Sequence, residues 1–406
     1  MKRGCGILLH VSSLPDGTFK TALPFIDFLA QSGVRYWQIL AAGPTGCGSP
    51  YSPLSVFAGN PEFIDKTVSV TEEELGKFKA DNKFWLESYI AFMSKRDPKT
   101  DHIVTQAQYF KQWSEIKQYA NDRGIQIIGD IPIYTAIDSA DVFAWPEQFD
   151  LSGVAGVPPD YFNKDGQHWG NPLYDFKQMA RDKYKWWIAR MAHMAKMYDV
   201  VRIDHFRAFD TYWKIPAGTK DAKKGAWCKG PGMKIFDAIR TAVPGMQIIL
   251  EDLGEISKSV LELRDETGYP GMGVMQFGFD GDAKNAHLPD NYPKNCTGYI
   301  GTHDNDTFVG FLKSADKKTR VIIDDYLSSH MLNEKDTTRL AIENILSSRA
   351  DIVVLTTQDL LFQDSKFRMN TPGTVGGGNW KYRIKQSDLS DELAGYLRML
   401  IERYGR

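Results

Sequence analysis

Val200-Val201-Arg202-Ile203-Asp204-His205-Phe206-Arg207 is a short apolar run that stops on a carboxylate. Alternation along a strand puts Arg202 and Asp204 on the same side, about 7 Å apart along the chain. A guanidinium that close favours the ionised carboxylate. Taken alone, an Arg-x-Asp pair is equally well a structural ion pair, so its meaning depends on what surrounds it.

Similar runs recur on either side, at Ile7–His10, Tyr36–Leu40, Ile125–Asp130, Gln247–Glu251, Val274–Gly278, Tyr299–His303 and Ile352–Thr356. Helical patterns separate them, among them Ala22–Gln31, Tyr109–Ala120, Tyr184–Met197, Gly232–Thr241 and Thr338–Ser348. Buried β runs alternating with amphipathic helices argue for parallel β-α units. Counting Val200–Asp204, there are eight, which predicts an α/β fold, a (β/α)8 TIM barrel with insertions after strands 2 and 3. On this reading 1–406 is a single catalytic domain. A reduced, helix-rich insertion subdomain occupies 43–123, and a lid-loop insertion occupies 131–180. The middle of the lid, Val157-Pro158-Pro159-Asp160-Tyr161-Phe162 and Gly166-Gln167-His168-Trp169-Gly170-Asn171-Pro172, is a Pro/Gly-rich loop dense in aromatics, suited to cover a binding cleft.

The bulk composition narrows the partners. Of 406 residues, 49 are basic and 51 acidic, for a formal charge of −2. No long basic run offers a footprint for nucleic acid or an anionic membrane. Cys5, Cys47, Cys228 and Cys296 are scattered, without a C-x-x-C pair or a zinc spacing, which predicts reduced thiols and a cytoplasmic protein. Met1–Leu14 is too short and too soon polar for a signal peptide, and no stretch approaches the roughly 18 apolar residues that span a bilayer. Aromatics make up 12% of the chain, and many sit in polar, Gly/Pro-rich segments. Flat rings among hydrogen-bonding side chains suit a sugar, whose pyranose ring has an apolar face and a polar rim, although core packing accounts for more than half of them.

The runs also share their endings: Asp130, Asp204, Glu251, and His303 followed by Asp304. In a barrel the C-terminal strand ends carry the active site, so carboxylates distant in sequence meet there. An acid at the end of an apolar strand, as Glu251 is, has its pKa raised by desolvation, which a general acid requires. No other histidine falls at a ligand spacing from His303 and no serine sits in a G-x-S-x-G elbow, so no metal, no cofactor and no serine hydrolase chemistry is expected. Two carboxylates at the top of a barrel point to glycosidic bond chemistry.

In this order, the Arg-x-Asp, Glu and His-Asp segments resemble signature regions of the α-amylase clan. More closely, the chain resembles the amylomaltases, the 4-α-glucanotransferases of glycoside hydrolase family 77. The match extends from Gly4-Cys5-Gly6-Ile7-Leu8-Leu9-His10-Val11-Ser12-Ser13-Leu14-Pro15, through Gly48-Ser49-Pro50-Tyr51, Phe57-Ala58-Gly59-Asn60-Pro61 and Gly129-Asp130-Ile131-Pro132-Ile133-Tyr134, to Gly301–Thr307 and Arg368-Met369-Asn370-Thr371-Pro372-Gly373. The resemblance implies retaining, double-displacement transfer of an α-1,4-glucan segment from a donor maltooligosaccharide to the 4-OH of an acceptor. It implies Asp204 as nucleophile, Glu251 as acid/base and Asp304 as transition-state stabiliser. It further implies that Arg202 holds Asp204 ionised and that His303 hydrogen-bonds the sugar. Tyr51 and Asp130 would sit around the sugar on the non-reducing side of the cut, and Ser49 would bind substrate as well. Tyr161, Gln167 and Trp169 would contact the acceptor side, and Asn379 would be a further substrate contact.

Plainer roles stay open for Tyr51 as the brace of a Pro-rich turn, Trp169 as lid packing and Asn379 as a turn residue. The chain is shorter than typical members of the family, mainly between Asp65 and Arg123, which predicts a more open cleft and a preference for short maltooligosaccharides. Two other functions also stay open: an α-amylase or α-glucosidase type hydrolase, and a catalytically silent glucan-binding protein. Retention of Asp204, Glu251 and Asp304 together argues against the second, because a binding module needs no acid pair.

Overall fold

The computed structural model describes residues 1–159, 164–254, 256–330, 332–374 and 376–406, so Tyr161 lies outside the described residues. In chain order the strands are β1 (Gly4–Leu8), β2 (Tyr36–Gln38), β3 (Gln126–Ile131), β4 (Phe149–Val157), β5 (Gln167–Tyr174), β6 (Val200–Ile203), β7 (Thr211–Pro216), β8 (Ala226–Lys229), β9 (Gln247–Leu250), β10 (Gly271–Val274), β11 (Cys296–Tyr299) and β12 (Ile352–Thr356). Eight of them form one sheet in the order β10-β11-β12-β1-β2-β3-β6-β9, and each pairing described in it is parallel. Helices alternate with these strands, and the fold is the (β/α)8 TIM barrel. Among the described residues, no helix is long and apolar enough to cross a membrane.

Contacts group the chain into two compact units. The first comprises Met1–Ile39, Gln118–Ile128 and Pro270–Arg406. Its helix Ala22–Gln31 buries Phe25, Ile26, Phe28 and Leu29, and its C-terminal helix Asp391–Arg403 buries Ala394, Leu397, Leu400 and Ile401, each a single apolar stripe at helical spacing. Two strands here end earlier than their apolar runs suggest. β10 stops at Val274, where Val274–Gly278 was expected, and β11 stops at Tyr299, where Tyr299–His303 was expected; His303 and Asp304 stand on the loop beyond. The reason is packing against Tyr292. A Cβ added at Gly273 would lie 2.3 Å from its ring, and one at Gly298 would lie 2.8 Å away. The true strands therefore begin in glycine-rich sequence that lacks an apolar signature.

The second unit comprises Leu40–Lys117 and Gly129–Tyr269. The insertion after β2 is helical, with Glu72–Asp81 and Lys83–Arg96 followed by His102–Asp122. The first of these begins in a capping box, in which the Glu74 amide donates to the Thr71 hydroxyl and the Thr71 amide donates back to the Glu74 carboxylate. Phe57 joins the insertion to the helix Lys185–Met197 through edge contacts to Trp186 at 5.9 Å and His193 at 5.7 Å.

Within the insertion after β3, Phe149–Val157 and Gln167–Tyr174 form strands β4 and β5, which flank the Pro/Gly-rich stretch and join an antiparallel sheet of order β5-β4-β7-β8. Register shifts at Asp150/Val154 and Val154/Gly156, a left-handed Gly170 and Pro172 within β5 break the alternation that would otherwise have marked these strands. The hairpin β7–β8 that completes the sheet is a third insertion, after β6, which the apolar runs did not reveal.

Gly129, next to Asp130, has Tyr198 where a Cβ would go, with ring atoms at 2.2 Å. Gly129→Ala is therefore expected to cost about 1–3 kcal/mol in urea unfolding, as overpacking does. Gly76→Ala, in an exposed helix with nothing within 4 Å, is expected to be neutral or to stabilise by up to about 1 kcal/mol. Equal effects at the two positions would contradict this packing account.

Candidate active site

β3 and β6 carry Asp130 and Arg202 side by side in the second unit. The Arg202 Nη1 donates to both carboxylate oxygens of Asp130 at 2.7 Å, and to Asp204 Oδ1 at 3.3 Å. The Asp130 side chain is fully buried and that of Arg202 is 4% exposed, whereas Asp204 keeps 23% of its surface open. Burial works against the Arg202 cation, but the charges of Asp130, Asp204 and Glu251, together with Tyr51, more than offset it and hold its pKa well above the ordinary value. The guanidinium is thus a permanent charge whose bond to Asp204 favours a carboxylate acceptor.

Tyr51 arrives from the insertion after β2 and donates its hydroxyl to Asp130 Oδ2 at 2.7 Å. Its loop is tied down at several points. Leu54 N–H donates to the Pro44 carbonyl, Ala136 N–H and the Thr135 hydroxyl both donate to the Pro53 carbonyl, and Tyr51 N–H donates to Ser49 Oγ at 3.3 Å. Ser49 therefore shapes the turn that presents Tyr51.

Glu251 follows β9 directly. The backbone locks the two strand ends together: Asp204 N–H donates to the Ile131 carbonyl, Glu251 N–H to that of Ile203, and Phe206 N–H to that of Glu251. His205 between them is left-handed, with φ +47° and ψ +52°, a conformation that costs a non-glycine residue about 1 kcal/mol or more. In return its N–H reaches Glu251 Oε2 at 2.6 Å, while Leu253 N–H donates to Oε1 at 3.3 Å. Burial pushes the Glu251 pKa well above the usual carboxylate range. Arg202 pulls it back and Asp204 pushes it further up. Of the two carboxyls, Glu251 is the one whose burial favours the protonated form. The His205 imidazole is pushed down to about 4 by burial, with Arg207 adding to the effect, so it is uncharged near neutral pH.

His205 also links this cluster to the antiparallel sheet. Trp169 meets its ring edge-on at 4.8 Å and 81°, and the Trp169 indole N–H donates to Gln167 Oε1 at 3.0 Å. The second unit thus brings together Tyr51, Asp130, Arg202 and Asp204, and joins Glu251, Trp169 and Gln167 through His205.

In the first unit, His303 and Asp304 lie on the loop after β11. His303 is buried with its Nε2 3.5 Å from Asp304 Oδ1, and its ring is 6.0 Å from that of Trp380. Asp304 is half exposed. Asn370 Nδ2 donates to its Oδ1 at 2.6 Å, Arg368 Nη2 donates to its carbonyl at 2.6 Å, and Arg368 Nε donates to the Asn370 carbonyl. The Arg368–Gly373 motif was legible in sequence, but these two partners of Asp304 were given no role there. Asn379 is bonded elsewhere: it accepts from Thr371 N–H at 3.0 Å and donates to the Thr374 hydroxyl at 3.0 Å, closing a turn. Among the described residues, no group of His, Cys, Asp and Glu is arranged to hold a metal ion.

The raised pKa of Glu251 has a sign that stability can test. Its folded pKa exceeds the unfolded value near 4.3, so the protein loses stability as pH rises from about that value through the folded pKa. Glu251→Gln removes this loss. The variant's thermal midpoint should exceed that of the parent by an amount that grows with pH across this window and then levels off. A gain independent of pH, or a loss, would contradict the assignment.

A family profile for glycoside hydrolase family 77, described as 4-alpha-glucanotransferase, matches residues 9–75 and 97–389. The chain is 37% identical to a 4-alpha-glucanotransferase of Streptococcus pneumoniae, covering 96% of this chain and 94% of the relative. It is 44% identical to the chloroplastic/amyloplastic 4-alpha-glucanotransferase of Arabidopsis thaliana, covering 100% and 86%. Among solved structures, the amylomaltase of Streptococcus agalactiae in complex with acarbose superposes with a TM-score of 0.93 at 32% identity, over 100% of both chains. The two sequence alignments extend over 482 and 498 positions for a chain of 406 residues, so these relatives carry internal segments that it lacks. The unmatched 76–96 falls inside the insertion expected to be reduced. The hydrolase and silent-binding alternatives give way: the chain belongs to glycoside hydrolase family 77 and is a 4-alpha-glucanotransferase, an enzyme acting on α-1,4-glucans.

Proposed function

We propose a double displacement in which Asp204 is the nucleophile and Glu251 the acid/base, acting on maltooligosaccharides. The observation that carries this reading is the contrast between two neighbouring carboxyls. Asp204 accepts from a permanently charged Arg202, while Glu251 is buried and holds its proton. Divided environments of this kind separate nucleophile from acid.

In the first step an Asp204 carboxylate oxygen attacks C1 of the donor sugar. The glycosidic C1–O bond breaks, and the Glu251 proton passes to the departing 4-oxygen. The product is a glycosyl ester on Asp204 and a carboxylate on Glu251. In the second step that carboxylate takes the proton of the acceptor 4-OH as its oxygen attacks C1. The ester bond breaks and both side chains return to their starting states. Two inversions at C1 give net retention.

Asp304 is the proposed third carboxylate. The Asn370 amide and Arg368 hold it, and it would accept hydrogen bonds from sugar hydroxyls and favour the distorted ring. His303, Tyr51, Asp130, Gln167, Trp169 and Asn379 are proposed substrate contacts. The Trp169–His205 pair supports an acceptor-side wall that covers the ester against water, because transfer succeeds only where water is kept out. The scattered cysteines support work in the cytoplasm.

Incubation with maltotriose is expected to give free glucose and a ladder of longer oligomers, and Asp204→Asn is expected to abolish both. Only smaller sugars, or full turnover by the variant, would overturn the proposal. Glu251→Gln should lose about 10²–10⁴-fold in rate on maltotriose yet retain the first-turnover burst of fluoride from α-maltotriosyl fluoride, whose leaving group needs no proton. Equal losses on both substrates would contradict the acid role. Trp169→Ala should raise the ratio of hydrolysis to transfer, and an unchanged ratio would remove Trp169 from the wall.

A further inference from the structure

We infer that Trp227, with Arg207 beside it, is a further acceptor-side stacking site for an α-1,4-glucan. Trp227 lies on β8, the edge strand of the antiparallel sheet, directly opposite Trp213 of β7 in the register. The two indoles share a sheet face but have different surroundings. Trp213 is committed to the protein: its N–H donates to the Ala222 carbonyl at 2.8 Å, and Gly225 lies so close to its ring that a Cβ there would sit at 2.2 Å. Trp227 is 42% exposed.

The exposed ring is nevertheless held in place. Trp213 meets it edge-on at 5.2 Å and 69°, and the Arg207 guanidinium stands 3.9 Å from its centroid. An isolated apolar side chain at a surface needs no explanation. A rigid indole with a planar cation over one face is a different surface, since the rest of the exposed apolar ring lies next to hydrogen-bond donors. A pyranose ring presents the complement, with CH groups to stack on the indole and hydroxyl oxygens to accept from a guanidinium.

The position selects the ligand. Arg207 is the third residue after Asp204, and His205 between them touches Trp169. One short segment therefore carries the nucleophile, meets the proposed acceptor wall and reaches Trp227. A glucan leaving that wall would next encounter this ring, so Trp227 would grip acceptors long enough to extend past Trp169 and be indifferent to glucose.

The inference rests on the double-displacement reading, which fluoride release by the parent enzyme tests separately. With α-maltotriosyl fluoride as donor, the departing group occupies no acceptor position, and glucose and maltotetraose can be compared as acceptors. In Trp227→Ala the ratio of acceptor kcat/KM, maltotetraose over glucose, should fall about tenfold, the factor that roughly 1.4 kcal/mol of ring contact carries. Trp227→Phe, which keeps a ring, should retain most of the ratio. A ratio unchanged in Trp227→Ala overturns the inference, whether the absolute rates hold or fall together, and so does an equal fall in both variants.

Discussion

Arg202 is the charge around which the second unit's polar cluster is arranged. A guanidinium taken out of water is costly, and for Arg202 carboxylates in good geometry offset that cost. Asp130 does so with both oxygens and no exposure, and Tyr51 in turn closes on Asp130. Removing either member of such a buried pair typically costs about 3–5 kcal/mol, because the other is left uncompensated. The pair is a fixed support, and the weaker third contact reaches the more open Asp204, the proposed nucleophile.

Around that charge the backbone accepts strain in order to divide two acids. His205 adopts a left-handed conformation, and its N–H is thereby aimed at Glu251. Burial keeps the Glu251 proton in place although Arg202 pulls against it. A carboxyl tuned in this way lowers stability at neutral pH, which is the usual relation between a prepared active site and the fold that bears it. Close approaches such as Gly129 against Tyr198 and Gly273 against Tyr292 show the same scaffold packed without slack beside its strand ends.

Much of this was legible in the sequence because buried parallel strands are written as apolar runs, and these runs end in carboxylates. The helices Ala22–Gln31 and Lys185–Met197 match their patterns almost residue for residue. The strands β10 and β11 were read too late because glycines that admit Tyr292 stand where apolar residues were sought. The antiparallel sheet was hidden by its bulges, by Gly170 and by Pro172, and β7–β8 by exposed, mixed side chains. In the site, the carboxylates announced themselves at strand ends, but the sign of a φ angle at His205 and the hand that Asn370 lends Asp304 are tertiary facts with no local pattern. The insertion after β2 was readable as helical, and the family profile breaks off within it at 76–96.

The central claim is that Asp204 becomes covalently glycosylated while Glu251 manages the proton. It can be tested by treating the Glu251→Gln enzyme with α-maltotriosyl fluoride, digesting it rapidly at low pH and weighing the peptides. The fluoride leaves unaided, but the variant lacks the base that would activate an acceptor, so the ester should accumulate. The account predicts one maltotriosyl mass on the peptide that contains Asp204. The same mass on the peptide bearing Asp304, or fluoride release with no labelled peptide, would contradict it.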